Sequence, residues 1–468
     1  MFDLSQLISR LVEETDDFND LEDKLIRELF EVGKKIIQGV MECLDQRLMK
    51  TRSEGLRHLG MREHTVLTRF GEVKVKRRYY RDAEDHTRFL LDEALGWGSG
   101  LAVTPALEAR ALKMCSETSY RCSADNLSFF LSSGVSHNFL HILVKQRGEQ
   151  AEAELEAQAQ ELFSSGVLPA SEDRRAERLF FEADGCVISL QREEKKKHEL
   201  KAGISYEGWE KAGKDKWRLL SKRSFLSAGT TEDFMATWSA ELAAVYDWRE
   251  VKEAVWSSDG AAWLARGPDL FAVTVAQLDR FHLARALRRA LGFGPEASRL
   301  ASMASAGQGS LVIEALEGHL ARAVDPKKKK RISQAISYLG GNLDRLADWR
   351  RALAPRDCDR TLGSMESNVD KLVADRFKKR GMSWSTAGAG HMCKIIELGK
   401  NGELADWCIK RRITRDKTEA KVFEELKREV RRDPEQWCRV HVPMLSVKSG
   451  DPWVKDILRH ISGLAMSA

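Results

Sequence analysis

The stretch from Arg178 to Leu190 (RLFFEADGCVISL) limits the possible folds of this chain more than any other part of it. Its apolar and β-prone residues predict a buried strand. The carboxylate of Asp184 stands in the middle of this run and is followed by Gly185. A charge in a buried strand is unfavourable unless a metal ion or a tight set of hydrogen bonds compensates it. Asp184 is therefore a candidate metal ligand, and the capping of a turn is the alternative.

The residues that follow predict a mixed α/β domain built on a five-stranded sheet. Four further strands are expected at 199–206, 217–226, 253–257 and 270–276, with a helix from Thr231 to Tyr246 before the fourth. The order β-β-β-α-β-α-β is that of the ribonuclease-H-like fold. In that fold the middle of the first strand lies beside the end of the fourth, where Asp259 follows Ser258. We therefore expect Asp184 and Asp259 to converge.

A third carboxylate is expected, because two divalent ions need acids on both sides as well as a shared ligand. Glu366 stands at helical spacing from Leu362, Val369 and Val373, which predicts that it lies on the apolar helix face that packs on the sheet. The chain between the second and third acids is longer than one strand and a loop require. This length predicts a helical insertion over about residues 284–354.

Basic residues are clustered although the net charge is only +5, from 76 Lys and Arg against 71 Asp and Glu. Ten Lys and Arg stand against three Glu between Lys50 and Arg81. A polarised surface of this kind is what a phosphate backbone selects, and a solvated helix face is the alternative for any single run. The other basic clusters span residues 327–331, 376–380 and 410–415, and the first of them supplies Lys327, Lys328, Lys329 and Lys330 as candidate DNA contacts.

Two N-terminal segments predict DNA contact. Residues 64–81 alternate with period two around Gly71, which is typical of a β-hairpin, and an edge hairpin kept soluble by lysine explains the same residues. Three helices are expected between 104 and 150, and the last two have helix-turn-helix spacing, although such helix pairs are common without DNA. The candidate DNA-binding residues are Lys74, Lys76, Arg77 and Arg78 on the hairpin and His137, Asn138, His141 and Lys145 on the third helix.

Other classes of protein are disfavoured. The eight cysteines form no C-x-x-C pair, which argues against a zinc ribbon and favours reduced thiols. No apolar run is long enough to span a membrane, no export signal opens the chain, and no phosphate-binding loop for a nucleotide is present. We therefore expect a cytoplasmic protein with neither a membrane partner nor a nucleotide cofactor.

Several motifs together resemble the ISLre family of bacterial insertion-sequence transposases. They are Glu182-Ala-Asp184-Gly, Tyr206-Glu-Gly-Trp-Glu210, Ser258-Asp259-Gly-Ala-Ala-Trp263, Asp279-Arg-Phe-His282 and Glu366-Ser-Asn, with Arg376 to Ser385 after them. The resemblance covers about residues 50–400. It implies a DDE transposase related to Mutator-like enzymes, with the triad Asp184, Asp259 and Glu366 and with Asp279 and His282 as the C/D-x-x-H motif of the insertion, for which we expect a structural role.

This resemblance implies phosphoryl transfer on double-stranded DNA, both transposon ends and target, with two Mg²⁺ or Mn²⁺ ions per site and at least a homodimer on DNA. A regulator that has lost catalysis and a junction-cutting nuclease on the same fold remain as alternatives. The expected organisation is an N-terminal region of helices and a basic hairpin (1–95), a helical DNA-binding region (96–170), a ribonuclease-H-like catalytic domain (171–283 and 355–400), a helical insertion (284–354) and a charged helical tail (401–468).

Overall fold

A computed structural model describes residues 11–95, 103–131, 133–166, 174–214, 216–264 and 267–410, together with separate residues between 424 and 440. The chain divides into two compact units. The first comprises Met1–Cys115, Tyr120–Leu143 and Leu404–Ala468, and the second comprises Ser116–Ser119 and Val144–Glu403. Most of the predicted tail after residue 410, including the basic cluster that ends at Arg415, lies outside the described residues.

The elements up to residue 166 follow the sequence pattern closely. In chain order they are α1 (Phe18–Thr51), β1 (Arg57–Thr68), β2 (Gly71–Arg81), β3 (Thr87–Arg88), α2 (Leu90–Leu95), α3 (Pro105–Glu117), α4 (Tyr120–Leu131) and α5 (His137–Ser165). The three helices expected between 104 and 150 are confirmed. The Ser136 hydroxyl caps α5 by accepting the Phe139 N–H at 3.0 Å.

The predicted hairpin is confirmed and is longer than expected. Strands β1 and β2 pair antiparallel from the turn at Thr68 and Gly71 outwards, and β3 adds to the far end of β2. Buried and exposed positions alternate along β2, because side chains of a strand point to opposite faces in turn. Val73 and Val75 pack against apolar residues of α1 such as Leu44.

The second unit contains a mixed sheet and most of the remaining helices. Its strands are β4 (Arg178–Ser189), β5 (Lys197–Tyr206), β6 (Gly208–Lys211), β7 (Trp217–Leu220), β8 (Arg223–Ser227), β9 (Glu253–Ser258) and β10 (Val275–Leu278). Its helices after α5 are α6 (Thr231–Val245), α7 (Gly267–Leu270), α8 (Arg280–Leu291), α9 (Pro295–Ser305), α10 (Gly309–Arg322), α11 (Pro326–Gly340), α12 (Met365–Val369), α13 (Asp375–Phe377) and α14 (Thr386–Lys400). The short helix α15 (Leu404–Lys410) follows in the first unit.

The five-stranded mixed sheet is confirmed, with the order β10-β9-β4-β5-β8. Strand β4 is central. It pairs antiparallel with β5 and parallel with β9, while β8 and β10 extend the two sides. Both of its faces are covered, because Phe181 stacks on Phe271 on one side and Phe180 packs on Tyr206 and Trp349 on the other. This two-sided burial explains the nearly continuous apolar run in the sequence.

Two predicted strands differ from the structure. The third, expected at 217–226, is divided into β7 and β8 because Ser221 adopts a left-handed φ of 53° between them, and β7 pairs with β6 outside the main sheet. The fifth, expected at 270–276, begins only at Val275. Residues 267–270 form a helical turn instead, and Ala272 turns the chain with a φ of 46°.

The expected helical insertion is observed between β10 and α12, with its own apolar core. Helices α8 to α11 pack through residues such as Leu287, Leu300, Leu316 and Leu339. Short 3₁₀ turns at Leu343–Arg345 and Trp349–Arg351 lead back towards the sheet, where the Trp349 N–H donates to Gln277 Oε1 at 2.8 Å. Within the described ranges, no helix is both long and apolar enough to cross a membrane.

One stability prediction arises from the crossing of α5 and α14. A Cβ atom at Gly148 would lie 2.5 Å from both the Cα atom and the backbone oxygen of His391. We expect Gly148→Ala to lower the free energy of unfolding by about 1–3 kcal/mol, because backbone atoms cannot move aside as a flexible side chain can. Urea unfolding measures this change.

Gly318 in α10 is the matched control, because its nearest obstacle is only the mobile end of the Arg322 side chain at 3.4 Å. There the same substitution should stabilise the protein by about 0.5–1 kcal/mol, since alanine restricts the unfolded chain more than glycine does. Equal effects of the two substitutions would contradict the close helix crossing at Gly148.

Candidate metal centre

Asp184 lies in the central strand at the point where full burial ends. Residues 178–183 of β4 are buried, whereas Asp184 and Gly185 are half-buried. The Gly185 N–H donates to Asp184 Oδ1 at 2.7 Å and so restricts the carboxylate. A Cβ atom at position 185 would lie 2.8 Å from Glu199 Cδ, so glycine leaves room for the Glu199 side chain of the neighbouring strand. The Asp184 carboxylate is therefore held at the edge of the buried core.

Asp259 follows directly after β9, the parallel neighbour of β4. The register of these strands places the residues immediately before Asp184 and Asp259 opposite each other. Asp259 Oδ1 accepts the Ala261 N–H at 2.8 Å, and the Asp259 carbonyl oxygen accepts the hydroxyl of Tyr338 from α11 at 2.5 Å. The insertion thus helps to hold the second acid, and the sheet brings it beside the first.

His282 of the Asp279-x-x-His282 motif lies close to Asp184 and Asp259. Asp279 caps α8 by accepting the His282 N–H at 3.0 Å, and its Oδ1 also lies 3.1 Å from His282 Nδ1. This agrees with the structural role expected for the motif. His282 in addition offers a ring nitrogen for a metal ion. This nitrogen, an oxygen of Asp184 and an oxygen of Asp259 all lie within 4.8 Å of one another.

A small cavity joins these residues to the third predicted acid. Glu366 reaches it from α12, the first helix after the insertion. The three acids therefore border one space although they belong to separate parts of the chain. The lining residues are Ala183, Asp184, Ser257, Asp259, Asp279, His282, Met365 and Glu366.

The environment predicted for Glu366 needs correction. Its side chain is exposed, although Leu362 and Val373 of the predicted apolar face are buried, together with Met365, Asn368 and Leu372. The helix is not regular, because residues 370–374 form a π-helical turn. Such a turn adds a residue and changes which positions face the sheet, so Glu366 lies beside the packed face and at the rim of the cavity.

Charge repulsion and burial both act on the clustered acids. Burial, the largest cause, and the nearby carboxylates of Asp259 and Glu366 together raise the pKa of Asp184 to about 6, while the Gly185 N–H and His282 oppose the shift. The hydrogen bond to Asp279 raises the pKa of His282. A site that disfavours its own negative charge favours a bound cation, and oxygen donors suit hard ions such as Mg²⁺ and Mn²⁺. The donor set therefore fits a divalent metal ion.

One buried acid beside this site, Glu182, is part of the Glu182-Ala-Asp184-Gly motif, but the sequence predicted no role for it. Glu182 lies two residues before Asp184 on the same face of β4, and its side chain is fully buried. Burial raises its pKa to about 7. The sequence signal was present, since Glu182 is a second carboxylate in the same apolar run, but the sequence does not reveal its hydrogen-bond partners.

The candidate DNA-binding residues divide into exposed and buried groups. Lys74 and Lys76 are exposed on β2, as a contact with a phosphate requires. Arg77 is buried and lies 2.5 Å from Asp92, and Arg78 pairs with Asp45, so these two arginines are committed to carboxylates and we withdraw them as DNA contacts. The remaining candidates are exposed, namely His137, Asn138, His141 and Lys145 on α5 and Lys327, Lys328, Lys329 and Lys330 in the first turn of α11.

Known proteins similar to this chain carry names that record a family but no activity. The chain is 24% identical over 410 residues to the protein named "UPF0236 protein in vanSb 3'region" of Streptococcus gallolyticus, which covers 84% of this chain and 86% of that protein. It is 20% identical over 405 residues to UPF0236 protein TTE2489 of Caldanaerobacter subterraneus subsp. tengcongensis, covering 85% and 79%. A further UPF0236 protein of that organism, whose name joins eleven TTE designations, is also 20% identical over 405 residues and covers 85% and 78%.

The match to the family extends over nearly the whole described chain. Residues 11–412 match the family described as "Uncharacterised protein family (UPF0236)". This range includes the hairpin, the mixed sheet, the insertion and all residues that line the cavity. The chain therefore belongs to the UPF0236 family.

Proposed function

We propose that this protein is a DDE transposase of a bacterial insertion sequence, which cuts the element's ends and joins their 3′-OH groups to target DNA. The observation that carries the proposal is the cavity at which Asp184, Asp259 and Glu366 meet. Three carboxylates from separate elements around one cavity are what two-metal phosphoryl transfer requires. The ISLre resemblance of the motifs that hold these acids supports the same reaction.

The sheet topology supports a ribonuclease-H-like catalytic core. When its five strands are numbered by their order along the chain, their order in the sheet is 3-2-1-4-5. The second strand is antiparallel to the first, and the fourth is parallel to it. This is the arrangement expected of a ribonuclease-H-like fold, and it accounts for two acids at neighbouring strands.

The name of one relative adds independent support. It joins eleven separate numbered designations for one protein of one organism. A coding sequence that occurs repeatedly within a genome is what an insertion sequence produces when it copies itself. We extend this argument to the present chain through their common family.

The acids of the proposed triad and His282 would each have one of two roles in the reaction, metal binding or contact with the substrate. Asp184, Asp259 and Glu366 would hold two Mg²⁺ or Mn²⁺ ions. Bound ions of this kind activate an attacking water or hydroxyl group and stabilise the leaving oxygen. His282, whose ring orientation is set by its hydrogen bond to Asp279, would donate to a substrate phosphate or add a ligand. No protein nucleophile is needed, because water and then the DNA 3′-OH attack in turn.

The partner is double-stranded DNA, and we propose at least a homodimer on it, since two element ends must be brought together. Such a protein would act in the cytoplasm, in association with the nucleoid. A cleavage assay tests the function directly. Oligonucleotides that carry the two ends of the element, taken from the DNA that flanks the gene, are incubated with Mg²⁺ and either wild-type protein or the Asp184→Asn variant. A DNA-binding regulator would bind these oligonucleotides without nicking them, and a junction nuclease would cut branched DNA in preference to them.

The hairpin lysines give a binding prediction. Replacing Lys74 and Lys76 with alanine should weaken DNA binding and reduce the slope of log K against log salt by about 2, because each lysine that neutralises a phosphate contributes about 1 to that slope. Fluorescence anisotropy over a series of salt concentrations measures both quantities. Lys252→Ala is the control, because the exposed Lys252 already pairs with Glu177 at 2.9 Å. An unchanged slope in the hairpin variant would remove these two lysines from the DNA interface.

A further inference from the structure

Glu182 connects the central strand to the segment that carries Glu366. Its Oε1 accepts the Tyr206 hydroxyl at 2.6 Å. Its Oε2 accepts two backbone N–H groups at 3.1 Å each, those of Gly363 and Met365. Met365 is the first residue of α12 and lies 183 positions further along the chain than Glu182. A single carboxylate therefore binds a neighbouring strand with one oxygen and the start of α12 with the other.

The donors around Glu182 explain how a fully buried carboxylate is accommodated. Burying a charge is costly unless hydrogen bonds replace its hydration, and bonds to an ionised group are stronger than those between neutral groups. The N–H groups of a helix start have no partner within the helix, so they are available to such an acceptor. Glu182 thus satisfies the beginning of α12 in the way that a capping residue does, but from another element.

The consequence of this contact concerns Glu366, the residue after Met365. The Glu366 side chain is exposed, and the helix that carries it spans only residues 365–369 before the π-helical turn begins. A helix this short has little stability of its own, so its placement depends on the groups that bind its ends. Glu182 also lies on the same face of β4 as Asp184. The contact therefore ties the position of the third acid to that of the first.

We propose that Glu182, supported by Tyr206, is a positioning residue that holds α12 so that Glu366 faces the cavity. The inference rests on the proposed function in so far as it treats Glu366 as a metal-binding acid. Glu182 does not belong to the residues that line the cavity, and it acts through the backbone of Gly363 and Met365. Residues that orient metal ligands in this way commonly change metal affinity by about 10–100-fold when they are replaced.

Two variants of nearly equal size separate positioning from packing. Glu182→Leu fills the same space but accepts no hydrogen bond. Glu182→Gln can keep its carbonyl oxygen towards Gly363 and Met365 while its NH₂ group donates to the Tyr206 oxygen, which can accept as well as donate. In the full-length protein, amide hydrogen exchange of residues 361–369 should accelerate in Glu182→Leu and stay close to wild type in Glu182→Gln. Unchanged exchange in Glu182→Leu would overturn the inference.

A double-mutant cycle tests whether Glu182 acts through Glu366. Titration calorimetry with MnCl₂ should show affinity about 10–100-fold weaker for Glu182→Leu than for wild type, with Glu182→Gln within about threefold of it. In a Glu366→Gln background, Glu182→Leu should cause no further loss, because the acid that it positions is already absent. Losses that simply multiply in the double variant would show a general structural effect and overturn the inference.

The proposed function can fail separately from this inference. If wild-type protein binds Mn²⁺ and the cycle behaves as expected, but no DNA ends are nicked, the positioning role stands and the transposase proposal falls. If the ends are nicked and Glu182→Leu cleaves and binds Mn²⁺ like wild type, the transposase proposal stands and the positioning role falls. Wild-type protein that binds no Mn²⁺ at all overturns both.

Discussion

Protein carrying Asp184→Asn is expected to nick DNA ends at least about a thousandfold more slowly than wild type. The substitution keeps the size of the side chain but removes the charge of an acid that lines the cavity. Metal ions contribute several kcal/mol to the stabilisation of charge in phosphoryl transfer, and each 1.36 kcal/mol corresponds to a factor of ten in rate, so a loss of about 4 kcal/mol gives this factor. Asp259→Asn and Glu366→Gln should behave similarly. Single-turnover cleavage with Mg²⁺ measures the rates.

Asp370→Asn is the matched control for these variants. Asp370 lies on the same helical segment as Glu366, is exposed and does not line the cavity. Its variant should cleave at the wild-type rate, and all variants should bind DNA with wild-type affinity, because none of the replaced residues belongs to the proposed DNA-binding surface. Cleavage by Asp184→Asn at the wild-type rate would show that this cavity is not the active site.

Divalent ions should stabilise the wild-type protein strongly and the Asp184→Asn variant little. A ligand at one hundred times its dissociation constant that binds only the folded state adds about 2.7 kcal/mol to the free energy of unfolding. Bound ions attract the three carboxylates, which repel one another when no ion is bound. Asp184→Asn removes one carboxylate and so weakens both the repulsion and the attraction to the ions. Thermal and urea unfolding with and without MnCl₂ measure the difference. Equal stabilisation of wild type and variant would place the bound ion elsewhere.

In the metal-free protein, the contribution of Asp184 to the free energy of unfolding should depend on pH. Burial and the neighbouring acids raise the pKa of Asp184 from 3.8 to about 6. Between these values the folded state binds more protons at this group than the unfolded state, so its contribution to stability falls as pH rises. Below pH 3.8 the contribution is fully present, and above pH 6 it is lost. The stability of wild type relative to Asp184→Asn should therefore decrease from about pH 4 to about pH 6 in the presence of EDTA.

Local patterns predicted those parts of the fold that depend on local alternation and burial. The hairpin around Gly71 follows from period-two alternation, since Val73 and Val75 could be buried only if Lys74 and Lys76 were exposed. The central strand follows from its long apolar run, and the candidacy of Asp184 follows from a carboxylate within that run. These features need no information about distant residues, which is why the sequence was sufficient.

The sequence could not predict features set by distant partners or by unusual backbone. Ser221 and Ala272 divide or shorten strands through left-handed φ values that neither residue type indicates. The sequence does not distinguish Arg77 from the other basic residues of the hairpin, because its ion pair with Asp92 is known only from the structure. The π-helical turn after Glu366 changes the face of the helix, and the partners of Glu182 include backbone groups, which have no sequence pattern at all.

The most direct test of the central proposal is anomalous diffraction from crystals of the protein soaked in MnCl₂, recorded at the manganese absorption edge. We expect anomalous peaks for two ions within the cavity, bordered by the carboxylates of Asp184, Asp259 and Glu366, and we expect them to vanish in Asp184→Asn. Manganese peaks located only away from these three acids, or a cavity without any peak in well-occupied crystals, would contradict the proposal.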